Sequence, residues 1–258
     1  MMKFNVLISL VCAALNLNAQ LNKPALEIEL FSEGIISTSF SERDMTISPD
    51  GKHLLYSIHS FKNDHRLIVE SVLLNGKWQV STTVSFSGKY KDLEPMFAPN
   101  GKQLFFASNR PMFEGDEAKD YNIWMVNREN GQWTTPRPLD TLINSDLDES
   151  SPVPLGVDDD LLFCRKNIGT GQDIYLFQNQ KVQKLPNSIN TISHEVPQSI
   201  SLDGNTLVLF GNYAHLPEYR LEIRQQAEKL GKGDLFYSEK QKDNSWGRVR
   251  AFPSPINS

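Results

Sequence analysis

Acidic residues recur in comparable places along this chain: Glu42 with Asp44, Asp92 with Glu94, Asp148 with Glu149, and Glu195 beside His194. Basic residues follow two of these groups, in Asn109-Arg110 and Arg165-Lys166. Converging carboxylates can attract a basic partner or hold a hard divalent cation through oxygen. A pair of them can share acid and base work on a glycan or peptide. The plainest role, and the one with most weight, is structural: each acid pairs with a nearby arginine or caps a backbone turn. The binding candidates are therefore Glu94, Glu149, Glu195, Asp92, Asp148, His194, Arg110 and Arg165.

Other chemistry fails to assemble. The chain has no Gly-x-Ser-x-Gly elbow, phosphate loop, EF-hand loop or dinucleotide fingerprint. His194-Glu195-Val196-Pro197-Gln198 ends in glutamine where a zinc protease needs histidine, and Pro197 breaks the helix that motif requires. The five histidines match no metal-ligand spacing, so no catalytic residue, metal or cofactor is expected. Cys164 falls where Ser57 and Ala107 fall in their own segments, which makes it a small packed residue rather than a nucleophile.

The elements that position these residues come from a repeat. Ile47-Ser48-Pro49-Asp50-Gly51-Lys52 precedes Leu54-Leu55-Tyr56-Ser57, and Phe97-Ala98-Pro99-Asn100-Gly101-Lys102 precedes Leu104-Phe105-Phe106-Ala107, 50 residues on. Ile200-Ser201-Leu202-Asp203-Gly204 leads to Leu207-Val208-Leu209-Phe210, and Pro152 to Cys164 is a looser copy with Val157 to Asp160 as its turn. Asp-Gly or Asn-Gly supplies the positive φ of a tight hairpin, so Asp50, Gly51, Asn100, Gly101, Asp203 and Gly204 are structural turn residues. Runs such as Leu104-Phe105-Phe106 are apolar at consecutive positions and must be covered on both faces. Third strands (66–71, 122–127, 173–177, 234–238) and fourth strands opening near Trp78, Trp133, Lys181 and Trp246 complete each unit. Four strands recurring at this spacing predict an all-β propeller of about four blades, at 41–88, 90–142, 146–190 and 194–255. The in-phase tryptophans are expected to plug gaps between blades.

At Ser-Pro-Asp-Gly-Lys (48–52), Ala-Pro-Asn-Gly-Lys (98–102), Ser108-Asn109-Arg110-Pro111, Asp173-Ile174-Tyr175 and the junctions Ile143-Asn144-Ser145 and Ile189-Asn190-Thr191, the chain resembles WD40-like β-propeller repeats of the TolB type. The branch it resembles is common among exported Gram-negative proteins. That resemblance covers nearly all of the chain beyond its leader. It implies a binding platform, and much less about any activity.

Residues 1–19 read as a signal peptide: Lys3 starts it, Val6 to Leu15 is apolar except for Ser9, and Leu17-Asn18-Ala19 offers a cleavage site. An exported, periplasmic or extracellular protein follows, with the propeller over 20–258 and no membrane span. A formal net charge of −5 argues against a nucleic-acid partner. An edge strand is expected at 26–31 and a helical insertion at 217–230 in the last blade, with Pro217 at its start and Gly231 after its end. Two arrangements follow: four blades with 26–31 as an extra strand, slightly favoured, or a ring lacking most of a fifth blade. An incomplete ring would leave edges that favour a dimer.

The leading functional expectation is a non-enzymatic exported propeller that binds a protein or cell-envelope polymer through the channel-mouth loops. The alternatives are a glycan- or peptide-acting hydrolase or lyase using mouth carboxylates, and a shortened family member without independent activity.

Overall fold

The computed structural model describes residues 30–62, 64–113, 115–156, 158–168, 171–191, 194–213, 234–253 and 256. The expected signal peptide and the helical insertion at 217–230 lie outside them. Of the edge strand expected at 26–31, only Leu30 and Phe31 are described; Phe31 opens a turn and leans on Trp78, ring centroids 6.4 Å apart.

The described residues form four antiparallel sheets and no helix. Blade one holds β1 (Ser41–Ile47), β2 (His53–His59), β3 (Arg66–Leu74), β4 (Lys77–Trp78) and β5 (Thr82–Thr83), ordered β1-β2-β3-β4 with β5 also on β3. Blade two holds β6 (Asp92–Phe97), β7 (Gln103–Ser108), β8 (Asn122–Glu129), β9 (Gln132–Trp133) and β10 (Arg137–Pro138), ordered β6-β7-β8-β10 with β9 also on β8. Blade three is β11 (Glu149–Pro154), β12 (Leu161–Asn167), β13 (Gly171–Gln178) and β14 (Lys181–Lys184), and blade four is β15 (Glu195–Ile200), β16 (Thr206–Gly211), β17 (Asp234–Glu239) and β18 (Arg250–Ala251), each in chain order.

The hairpin joining the first two strands closes as the repeat requires. Gly51 N–H donates to the Ser48 carbonyl at 2.8 Å, Ser48 Oγ to Asp50 at 2.5 Å, and Lys52 N–H to the same carboxylate at 3.1 Å. Ser201, Asp203 and Gly204 repeat this in blade four, while in blade two Asn100 accepts from Lys102 N at 2.8 Å and Gln103 N at 3.2 Å. Gly51, Gly101 and Gly204 sit at φ of 70°, 66° and 70°, in the left-handed region where a Cβ is costly.

Packing between blades accounts for the doubly apolar runs. Leu55 and Ile68 of blade one meet Leu104, Phe106 and Trp124 of blade two. Phe105 and Met125 meet Leu161 and Phe163 of blade three, and Leu162 with Ile174 meets Leu207 and Leu209 of blade four. Trp133 belongs to the first of these interfaces, its indole N–H 3.4 Å from Glu70 of blade one. Each blade touches the next through its innermost strand, whereas the described strands of blade four make no contact with those of blade one.

Candidate functional site

Two tiers of acidic residues separate once strand pairing is known. Asp92 lies opposite Ser108, Glu149 opposite Arg165, Glu195 opposite Gly211 and Glu42 opposite Ile58, which makes these four equivalent. Glu94 is not in that set. It lies two residues further on, level with Asp44 and Ser151, where each innermost strand breaks register.

The first tier locks blades together. Glu149 is fully buried and accepts from Ser145 N at 2.9 Å, Ser145 Oγ at 2.5 Å and Arg165 Nε at 2.7 Å. The Arg165 guanidinium also donates to the Leu142 and Ile143 carbonyls at 3.0 and 2.7 Å and lies over Tyr175. Burial pushes the Glu149 carboxyl above its usual range against these donors. Asp92, also without exposure, accepts from Ser87 Oγ at 2.8 Å and Arg110 Nη2 at 2.6 Å, and Arg110 stacks over Phe106 and Trp124. Glu195 is buried on Thr191 N at 3.1 Å and Thr191 Oγ1, and Glu42 holds Thr38 in the same way. Asn144 and Asn190 finish each junction, their side-chain amides bonding both main-chain groups of Ile123 and of Ile174 respectively.

Asp92, Glu149 and Glu195 thus do not reach the channel mouth as a ligand ring, because their lone pairs face main-chain, hydroxyl and arginine donors inside the junctions. Arg110 and Arg165 are held with them. Asp148 remains at the surface, accepting from Tyr121 N at 3.1 Å and pairing with Lys166 at 3.2 Å, and His194 is exposed. Cys164 is buried with its thiol 3.1 Å from the Glu195 carbonyl, and burial holds its pKa well above the ordinary thiol value.

The second tier faces the channel. Asp44, Glu94 and Ser151 have φ of 55°, 55° and 51° at the bulges, and a bulge re-aims the side chain it carries. Between the innermost strands of all four blades lies a cavity of about 450 Å³. Its polar lining includes Arg43, Asp44, Glu94, Ser151, Gln172 and Gln198; Met45, Met96, Phe210 and a series of prolines supply apolar wall. Glu94 N–H donates to Ser57 Oγ at 3.0 Å, and Glu94 Oε2 accepts from Ser151 N at 2.5 Å. Burial, then the neighbouring Asp44, raises the Glu94 pKa to about 7, with Ser151 and Arg43 acting in the opposite direction. Asp44 lies 3.9 Å from His59 Nε2.

The sequence groups Glu94 with Glu149 and Glu195 as binding candidates and gives no sign that Arg43, Ser151 and Gln172 join it, while Gln198 stands out only as the residue that spoils a zinc-protease motif. One signal marks three of the four first-tier acids: Glu42, Glu149 and Glu195 each follow a Ser or Thr by four residues, whereas Glu94 follows Tyr90 at that spacing; Asp92, whose partner Ser87 lies five residues back, lacks it. Among the described residues no group of three or more His, Cys, Asp or Glu side chains is placed to hold a metal ion.

No protein-family model matches the chain, and no curated protein matches it. Solved structures do match. A structure described as TolB from Agrobacterium tumefaciens shares 16% identity at a TM-score of 0.52, over 84% of this chain and 63% of its own. An oligogalacturonate lyase in complex with manganese gives 16% identity and a TM-score of 0.46 over 86% of this chain and 57% of its own. A puromycin-hydrolyzing peptidase from Mycobacterium tuberculosis gives 17% and 0.45 over 84% and 32%. The chain spans less than two thirds of the length of each of these structures. At such identities the likeness is one of fold, and the fold is that of a TolB-like β-propeller.

Proposed function

We propose that this chain is a non-enzymatic, exported binding propeller that engages a protein or cell-envelope polymer at the channel mouth. The observation that carries the reading is the division of its acids: one tier is taken up in blade junctions, and the other lines an open cavity between the innermost strands. A concave site with apolar walls and a few convergent polar groups is a natural place for a ligand. Export through a signal peptide at 1–19 to the periplasm completes the proposal; among the described residues no helix is long and apolar enough to cross a membrane.

The test is cross-linking of the full chain in envelope extract, with Asp148→Lys and His194→Glu as the control. Both residues reach solvent, whereas reversing a buried junction acid would unfold the blade. A partner captured by the native chain and lost in the control supports the reading. Equal capture by both, or no capture by folded protein, overturns it. Sedimentation of the same samples tests the dimer that an incomplete ring would favour.

A hydrolase or lyase is the second reading, favoured by one observation: a carboxyl that keeps its proton near neutrality sits beside Asp44 in the cavity. Turnover of a glycan or peptide that is lost in Glu94→Gln and kept in Asp148→Asn would establish it.

A further inference from the structure

The channel cavity combines three charged side chains with an aliphatic wall, and their sum restricts what fits. Arg43 contributes one positive charge, Asp44 and Glu94 one negative charge each when ionised. With both acids ionised these three side chains sum to one negative charge, and with Glu94 protonated to none; His59 stands 3.9 Å from Asp44, behind the lining. Glu94 Oε2 is held by the Ser151 N–H, the Ser151 side chain also bonds this carboxyl, and no arginine or lysine pairs with it among the described residues. Gln172 and Gln198 add amide oxygens that accept hydrogen bonds.

We propose that this cavity binds one primary ammonium group carried on an unbranched aliphatic stem, as in a lysine side chain presented by a partner. The inference rests on the channel mouth being the binding face. An ammonium is a compact point charge with three donors, suited to the Asp44 and Glu94 carboxylates and a glutamine amide approaching from different strands. A guanidinium is a planar fork that matches one carboxylate edge-on, and the two acids here stand on neighbouring blades. The methylene stem has Met45, Met96 and Pro95 to lie against. A divalent metal ion lacks a donor set, since no three metal-ligating side chains converge among the described residues.

Binding is coupled to the Glu94 proton, because the cation is neutralised only when that carboxyl ionises. The other titratable groups acting around Glu94 are Asp44 and Arg43 from β1, Tyr121 just before β8, and Cys164 from β12. Burial raises the Tyr121 and Cys164 pKa values, so both stay neutral between pH 6 and 8, the range of the assay. With a pKa of about 7, the ionised fraction of Glu94 rises about tenfold over that range.

The experiment is calorimetric titration of the full chain with acetyl-Gly-Lys-Gly-amide, its norleucine and arginine counterparts, and cadaverine. Two buffers of different ionisation enthalpy report proton release. The lysine peptide or cadaverine is expected to bind about tenfold more tightly at pH 8 than at pH 6, releasing close to one proton at the lower pH. The norleucine peptide, which has the stem without the charge, should bind at least about tenfold more weakly at pH 8. Glu94→Gln should remove the pH slope, with its circular dichroism confirming that it folds. Cadaverine as the tighter ligand would assign a free amine, and the peptide as the tighter one a protein-borne lysine; either supports the site. Equal binding of lysine and norleucine peptides, stronger binding of the arginine peptide, or a pH slope that survives in folded Glu94→Gln overturns it. If neither amine binds while an envelope partner is captured through Asp148 and His194, this inference falls and the binding-propeller reading stands.

Discussion

Glu94 gives the sharpest test of how the channel is built, because its ionisation opposes folding. Its pKa rises from an ordinary 4.5 to about 7 in the fold, so the folded chain holds this proton more tightly than the unfolded chain does. The favourable contribution is fully present below pH 4.5 and is lost as pH rises through 7. Each tenfold change in proton affinity is worth about 1.4 kcal/mol, so the loss is of order 3 kcal/mol. For a chain of this size that corresponds to roughly 6–10 °C in melting temperature. Glu94→Gln keeps an acceptor for the Ser151 N–H but cannot ionise. Urea denaturation of both proteins at fixed ionic strength, from pH 4.5 to 8.5, should show the stability of the native chain falling by this amount relative to the variant. Taking the difference cancels the other titrating groups. Asp44→Asn should remove only part of the effect, because burial is the larger cause and Asp44 the second. A difference that stays flat with pH would refute the assignment of Glu94 to a desolvated channel position, and full loss of the slope in Asp44→Asn would refute the order of causes.

Arg165→Ala and Arg110→Ala should each cost about 3–5 kcal/mol at pH 7, since each leaves a fully buried carboxylate without its cation. Adding Glu149→Gln to Arg165→Ala should restore part of the denaturation midpoint, and failure to do so would mean that the arginine acts through packing alone. Gly101→Ala should destabilise more than Gly51→Ala: both have positive φ, worth about 1–2 kcal/mol, but a Cβ at Gly101 also meets Pro49 at 3.3 Å while the one at Gly51 meets open space. Equal denaturation midpoints for the two variants would contradict that contact. The Cys164 thiol should react with maleimide only at the rate of global opening, and fast labelling of the native protein would show that its burial is breached.

The hairpins were legible because their chemistry is local. A tight turn needs positive φ, Gly51, Gly101 and Gly204 supply it, and the apolar runs that follow are strand-length, flanked by turn residues and covered on both sides. The channel was not legible, because facing depends on register. A bulge changes which way every later side chain of the strand points, and charge alone does not reveal where the bulge falls. Asp148 and Glu149 show this at adjacent positions: one pairs with Lys166 at the surface, the other is sealed beneath Arg165. Gln172 carried no signal at all, since a lone glutamine in a strand reads as solvent-facing until blade four is placed against it.

What separates Glu149 and Asp92 from Glu94 is an arginine partner inside the junction. Glu149 receives three hydrogen bonds and Asp92 two, each including an arginine, so their burial is compensated from within the junction. Glu94 is held by Ser151 without an arginine, and it lines the cavity. A carboxylate held that way is compensated by taking up a proton or by accepting a cation, and both states are open to it near neutral pH. The junction acids have no such choice, because removing their partners breaks the blade contacts that form the channel. The same residue type therefore builds the scaffold in one tier and lines the channel without a cation in the next, two residues further along the same strand.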